Sequence, residues 1–249
     1  LYAVYNKFFN DTSGSDCSDG KGLCTVYEKA LRRKQKNRET KRDIDSLRNL
    51  SVSYDNIAQV YVELGEVENL QKARKMYGRS LRIAEFTAEK DPSEERKREL
   101  SISYNNMGGV CQKMGGEQNF RIAYEMYEKG LRIAETLADK QGSEESLSDL
   151  ITSLHRKGDA CSDQAGEQNL QTAQAMYEKA LHIAELLAER VKTGPVWRLL
   201  SFSYNKVGEI CEKRGGPENF RKAYEMYKNG LRIAEILARE LGTEEDFKA

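Results

Sequence analysis

Five cysteines and two histidines are the residues best suited to nucleophilic, acid–base or metal chemistry in this sequence. Their spacing argues against all three. Cys111, Cys161 and Cys211 recur at one position of a 50-residue period, on an apolar stripe, where a free thiol packs as a small hydrophobe. Cys17 and Cys24 stand in a run of turn formers from Asp11 to Cys24, with no second pair or nearby His to complete four zinc ligands. In the same run Asp11, Ser13 and Ser15 alternate oxygens as a calcium loop does, but Asp16 and Gly22 stand where such a loop needs its Gly and its last Glu. The run therefore reads as a solvated turn, and the state of its two thiols stays open. His155 and His182 fall on different predicted helices. No nucleophile elbow, P-loop, dinucleotide fingerprint or His-Glu-x-x-His motif occurs. No catalytic residue, cofactor or metal is expected.

What the spacing does organise is a set of polar ladders. Asp55, Asn105, His155 and Asn205 occupy one repeat position, and Asn56, Asn106, Arg156 and Lys206 the next. One turn on come Gln59, Gly109, Asp159 and Glu209, then Glu63, Lys113, Asp163 and Lys213. Amides offer a donor and an acceptor, and Arg offers a fork of donors, so these types suit a peptide backbone or a carboxylate. The ladder is the best ligand-site candidate in the sequence. The competing reading, a solvated polar face, stands beside it with equal weight.

The elements that must position these residues follow from the repeat. Leu81-Arg82-Ile83-Ala84-Glu85 returns at 131–135, at 181–185 with His182 for Arg, and at 231–235. Met76-Tyr77 returns at the same interval three times, and more than half of the residues of 101–149 recur in 201–249. Tyr27 to Leu31 matches Tyr177 to Leu181, which marks a diverged copy at the front. Each unit carries two stripes at helical spacing. The first is Leu47, Leu50, Tyr54, Ile57, Ala58 and Tyr61; the second is Ala73, Met76, Tyr77, Leu81, Ala84 and Ala88. Gly65 stops the first, and Asp91-Pro92, Gly142, Gly194-Pro195 and Gly242 follow the second. Ser93 and Ser143 read as N-caps, and no strand is predicted. One hairpin cannot bury both stripes, but stacked hairpins can. The expected organisation is a single all-α domain over 1–249, with units near 1–41, 42–91, 92–141, 142–193 and 194–241 and the start of another at 242–249.

Composition bounds the function classes. The chain has 249 residues, 39% of them hydrophobic and 32% charged, with 40 Lys and Arg against 40 Asp and Glu. It is too apolar to be wholly disordered, and it is neither a basic nucleic-acid wrapper nor an acidic tail. No apolar run approaches the roughly 20 residues that cross a bilayer. Buried thiols suit a reducing, cytoplasmic setting. Residues 29–48 gather nine Lys and Arg against three acids, yet no interleaved aromatics are there to stack on bases. That stretch reads as a solvated face, and no nucleic-acid or membrane partner is expected.

The pattern Tyr54, Ile57, Ala58, Tyr61, Gly65, Ala73, Tyr77, Ser80, with its copy Tyr204, Val207, Gly208, Cys211, Gly215, Ala223, Tyr227, Gly230, resembles the tetratricopeptide repeat. The period departs from the usual 34 residues, and Glu85, Glu135, Glu185 and Glu235 stand where a helix-ending Pro is common. The chain is thus similar to the long-helix type found in bacterial multi-domain proteins. The resemblance implies a right-handed α-solenoid of antiparallel helix hairpins whose first helices line a concave groove. It further implies a non-catalytic scaffold that binds a peptide or helix of a partner protein, or of another domain of the same protein. The groove candidates are Asp55, Asn56, Gln59, Asn105, Asn106, Lys113, His155, Arg156, Asp159, Asn205, Lys206 and Glu209. The family's clamp for chaperone carboxylates is not expected, because Asp55 stands where a Lys is wanted and Thr152 replaces another ligand. Leu1 is not a start Met, and Phe247 aligns with Trp197 in a lead-in to a first helix, so a fragment of a longer protein is expected. Uncapped ends with Leu1, Tyr2, Tyr5 and Phe8 at one side and Ile236, Leu237, Leu241 and Phe247 at the other make end-to-end self-association an alternative. A regulatory or sensor arm of a larger signalling protein or enzyme is another.

Overall fold

The computed structural model of the chain describes residues 43–164 and 166–240. The diverged first unit, the loop with Cys17 and Cys24, most of the basic run and both chain ends lie outside them. Every described element is an α-helix, and no strand occurs among the described residues. The chain is therefore all-α, as its periodicity requires. The helices run α1 Asp43–Leu64, α2 Val67–Lys90, α3 Glu94–Met114, α4 Glu117–Gln141, α5 Glu144–Ser162, α6 Glu167–Arg190, α7 Gly194–Arg214 and α8 Pro217–Glu240. Contacts divide the chain into two compact units, Leu1–Gly115 and Gly116–Ala249.

Helix ends sit where the breakers predict them. Gly115 and Gly116 both take positive φ, 68° and 81°, as do Gly215 and Gly216 at 68° and 87°. Only glycine adopts two such residues in succession without strain, so these pairs turn the chain within a connection of two residues. Ser93 and Ser143 occupy the N-cap places. Only Ser143 caps with its side chain, accepting from the Ser146 amide at 3.2 Å. The Ser93 backbone amide instead donates to Asp91.

In the first unit α2 packs between α1 and α3. Ala73, at zero exposure, lets α1 and α2 approach closely around Tyr54, Ile57, Ala58 and Tyr77. Ion pairs then fasten α3 to α1: buried Arg96 reaches Asp45 at 3.3 Å, and Arg48 meets Glu95 at 3.2 Å and also Glu99, which Arg96 holds from its own helix. In the second unit each helix packs on its neighbours in sequence, and α5 also touches α7 directly. Its core runs through Leu131, Ile151, Leu154, Tyr177, Leu181, Leu187, Val207 and Ile210. Cys111, Cys161 and Cys211 are buried free thiols, in the core role that their stripe implies. Trp197, the single Trp, is half-buried on α7.

The Glu that replaces the helix-ending Pro has a structural task. Tyr104 donates to Glu85 at 2.9 Å and Tyr204 to Glu185 at 2.6 Å, so each Glu ties a second helix to the following first helix. Leu154 stands where the third copy lacks the Tyr, and there Glu135 takes Lys179 at 2.7 Å instead.

Candidate interaction surface

The ladder residues divide by direction. Residues of the Asp55 type turn inward, Asp55 and Asn205 toward the second helix of their hairpin and His155 toward the first helix of the next. In the first unit Ser80 donates a hydrogen bond to the Asp55 carboxylate and stands 2.8 Å from Ser51 Oγ. Asp55 Oδ1 is buried without a hydrogen-bond partner. Burial pushes its carboxyl up to about 6, against the Ser80 bond that lowers it. Asn205 leans over Gly230, where an added Cβ would stand 2.7 Å from Asn205 Oδ1. Asn105 is half-buried. His155 is 4% exposed, with Nε2 3.1 Å from Ser203 Oγ and its ring edge-on to Phe202 at 5.1 Å. Burial lowers its imidazole to about 4, helped by Lys206 and Arg156 and opposed by Asp159. At neutral pH it is an uncharged ring set into the floor of this surface.

Several other candidates are engaged within the chain. Gln59 accepts from Tyr77 at 3.1 Å and donates to Glu63 at 3.1 Å. Asp159 accepts from Tyr177 at 2.6 Å and pairs with Lys206 at 3.0 Å. Lys206 also meets Glu209 at 3.1 Å and lies over the Tyr177 and Phe202 rings. Burial, the Asp159 charge and their hydrogen bond together raise the Tyr177 hydroxyl far above its ordinary range. This network locks α5, α6 and α7 into one rigid surface.

Outward-facing groups remain. Asn56 and Lys113 are exposed and Asn106 is half-exposed in the first unit; Arg156 is exposed in the second. None of the four has a hydrogen-bond or ion-pair partner among the described residues. An apolar rung that polar-ladder reasoning passes over accompanies them: Val52 and Ile102 in the first unit and Phe202 in the second are 49%, 39% and 48% exposed. The signal was available in the sequence, since each stands two residues before the Tyr54 position and therefore off the buried stripe. On the second unit, then, α5 and α7 bring together a free guanidinium, an exposed phenyl ring and a fixed His–Lys–Asp floor. The chemistry of these groups, a fork of donors next to an aromatic ring, is complementary to a carboxylate or carbonyl beside an apolar side chain. Among the described residues no group of three His, Cys, Asp or Glu could hold a metal, and no helix is long and apolar enough to cross a membrane.

No protein-family model matches the chain. No curated protein matches it. Solved structures do. The apo form of RapI is similar at 15% identity and TM-score 0.54, over 85% of this chain and 70% of that one. A chain of the DHF58 filament is similar at 21% identity and TM-score 0.50, over 81% of this chain and 98% of that one. The de novo designed helical repeat protein DHR64 aligns at 20% identity and TM-score 0.46, over 86% and 98%. The fold is a helical repeat.

Proposed function

We propose that this chain is a tetratricopeptide-like scaffold, acting in a reducing cytoplasm, that binds a peptide or helix of a partner protein along its first helices. The supporting observation is the α5–α7 face. Arg156 is exposed with no hydrogen-bond or ion-pair partner among the described residues, and Phe202 keeps one side exposed while its ring packs on His155 and Lys206. Asp159, Tyr177 and Lys206 hold the surface around them in place. Pre-organisation of this kind lowers the ordering cost of binding.

The test is a displayed peptide library selected on the protein, followed by titration of the enriched peptide against Arg156→Ala/Phe202→Ala. Loss of an Arg fork and an aromatic anchor weakens binding by about tenfold or more, with helical circular dichroism unchanged. Equal affinity in the double variant removes this face as the site.

A second reading rests on α8. Phe220, Tyr224, Leu231 and Ile236 are exposed on it, Leu231 at 59% although its counterparts Leu131 and Leu181 are buried. That face suits a second copy of the chain.

A further inference from the structure

The repeat is broken in charge at α2. This helix carries six Lys and Arg against three Glu, while α4 carries four against five acids and α6 two against four. The excess lies on one face, at helical spacing: Arg74, Lys75, Arg79 and Arg82. Together with Met107 and Met114 of α3 these residues line a cleft of about 650 Å³ in the first unit.

Comparison between repeats shows what the cleft lacks. In the second unit Glu128 bridges Lys157 of α5 and Arg132 of its own helix, and Glu178 takes Lys222 at 2.5 Å and Gln174 at 2.7 Å. The residue at that position of α2 is Gly78, and a Cβ built there meets nothing within 4 Å. Arg82, the counterpart of Arg132, thereby loses its glutamate. Lys75 and Arg82 have no hydrogen-bond or ion-pair partner among the described residues, and Arg79 only rests over the Tyr54 ring at 5.7 Å. Met107 is half-exposed, although Ile57 and Val207 are fully covered at its repeat position. The cleft thus keeps the cations and the apolar wall and is missing one carboxylate on a short aliphatic stem.

We propose that the cleft receives an acidic segment of a partner protein, with glutamate carboxylates on Lys75, Arg79 and Arg82 and a neighbouring apolar side chain on Met107 and Met114. This is a second contact surface, formed by α2 and α3 and independent of the α5–α7 face. Charge-assisted bonds from Arg and Lys supply the affinity. The two Met side chains supply an adaptable apolar floor. A nucleic acid fits less well, since no aromatic ring lines the cleft for stacking.

Gly78→Glu is the decisive variant. It restores the residue that the next two repeats hold, fills open space and improves helix propensity, so the fold is retained. The probe is a fluorescein-labelled peptide of repeated Glu-Glu-Leu units, read by anisotropy at low salt. Alongside it run the same peptide with Gln for Glu and a single-stranded oligonucleotide of equal charge. The wild-type chain binds the acidic peptide. Binding falls about tenfold or more in Gly78→Glu, in Lys75→Glu/Arg82→Glu and with the Gln peptide. Arg156→Ala/Phe202→Ala leaves it unchanged, which separates this cleft from the α5–α7 face. The proposal is overturned if the wild-type chain ignores the acidic peptide, if Gly78→Glu binds it undiminished, or if the oligonucleotide binds as tightly.

Discussion

Asp55, Asn105, His155 and Asn205 share a repeat position, and their surroundings differ: Asp55 meets Ser80, His155 meets Ser203 and Phe202, and Asn205 lies over Gly230. Asp55 is the member that carries charge into a poorly solvated place. Its carboxyl titrates near 6 in the folded chain and near 3.8 as an ordinary Asp. The folded state therefore holds the proton more tightly, and stability present below pH 3.8 is lost as pH rises through 6. Asp55→Asn, the residue that two other repeats use, is expected to raise stability by about 1–2 kcal/mol at pH 7.5. The gain should vanish near pH 4, where Asp55 is neutral. Thermal melts at both pH values check this, and an equal gap at both would contradict it. His155 has the opposite sign. Its imidazole is lowered from 6.5 to about 4, so its contribution is complete above pH 6.5 and is lost as pH falls toward 4. The split of the ladder into inward and outward rungs was not legible in the sequence. Two adjacent residues on a helix differ by about 100°, and a stripe of apolar residues does not say which flank the paired helix covers. Neither was the α2 cleft, whose cations gather by helical period and not as a run.

At the scale of the helix pair, small residues set the approach distance. Ala73, Ala123, Ala173 and Ala223 are all essentially unexposed. Gly158 and Gly208 extend the device. A Cβ on Gly158 would come 2.4 Å from Tyr177 Cε1, and on Gly208 2.5 Å from Tyr227 Cε1. The Tyr177 ring cannot yield, because it is buried and its hydroxyl is held by Asp159. Gly158→Ala is therefore expected to destabilise the second unit by about 1–3 kcal/mol through overpacking, although Ala is the better helix former. A chemical-denaturation midpoint at or above that of the wild-type chain would show that the α5–α6 contact is looser than this. The hairpins themselves were legible because breakers and stripes agreed in most units: Gly65, Gly115-Gly116, Gly142 and Gly215-Gly216 all end helices where the period puts them, while α5 stops early, at Ser162. The tie between Glu85 and Tyr104 was hidden, since it joins two positions that no local pattern connects.

At the scale of the whole molecule, the exposed face of α8 makes concentration the variable to follow. If α8 meets a second copy, light scattering over a hundredfold range of concentration gives a mass rising above 28.4 kDa, and Leu231→Glu returns it to that value. A mass constant at 28.4 kDa across the range leaves the α5–α7 face as the reading to pursue. The all-α repeat was legible from its 50-residue period alone, because only stacked hairpins bury two stripes per unit.

The three buried thiols turn the repeat into a set of clocks. Burial raises Cys111, Cys161 and Cys211 above the ordinary thiol range, and an alkylating reagent attacks the thiolate. Each sulfur therefore becomes reactive when its own hairpin opens, and the labelling rate measures how often that happens. Cys111 keeps time for the first unit, and Cys161 and Cys211 for the second. Mass spectrometry of the labelled peptides resolves the three rates in one sample of unaltered protein. A partner seated on the α5–α7 face would then declare its location by slowing two of the clocks and leaving the third to run.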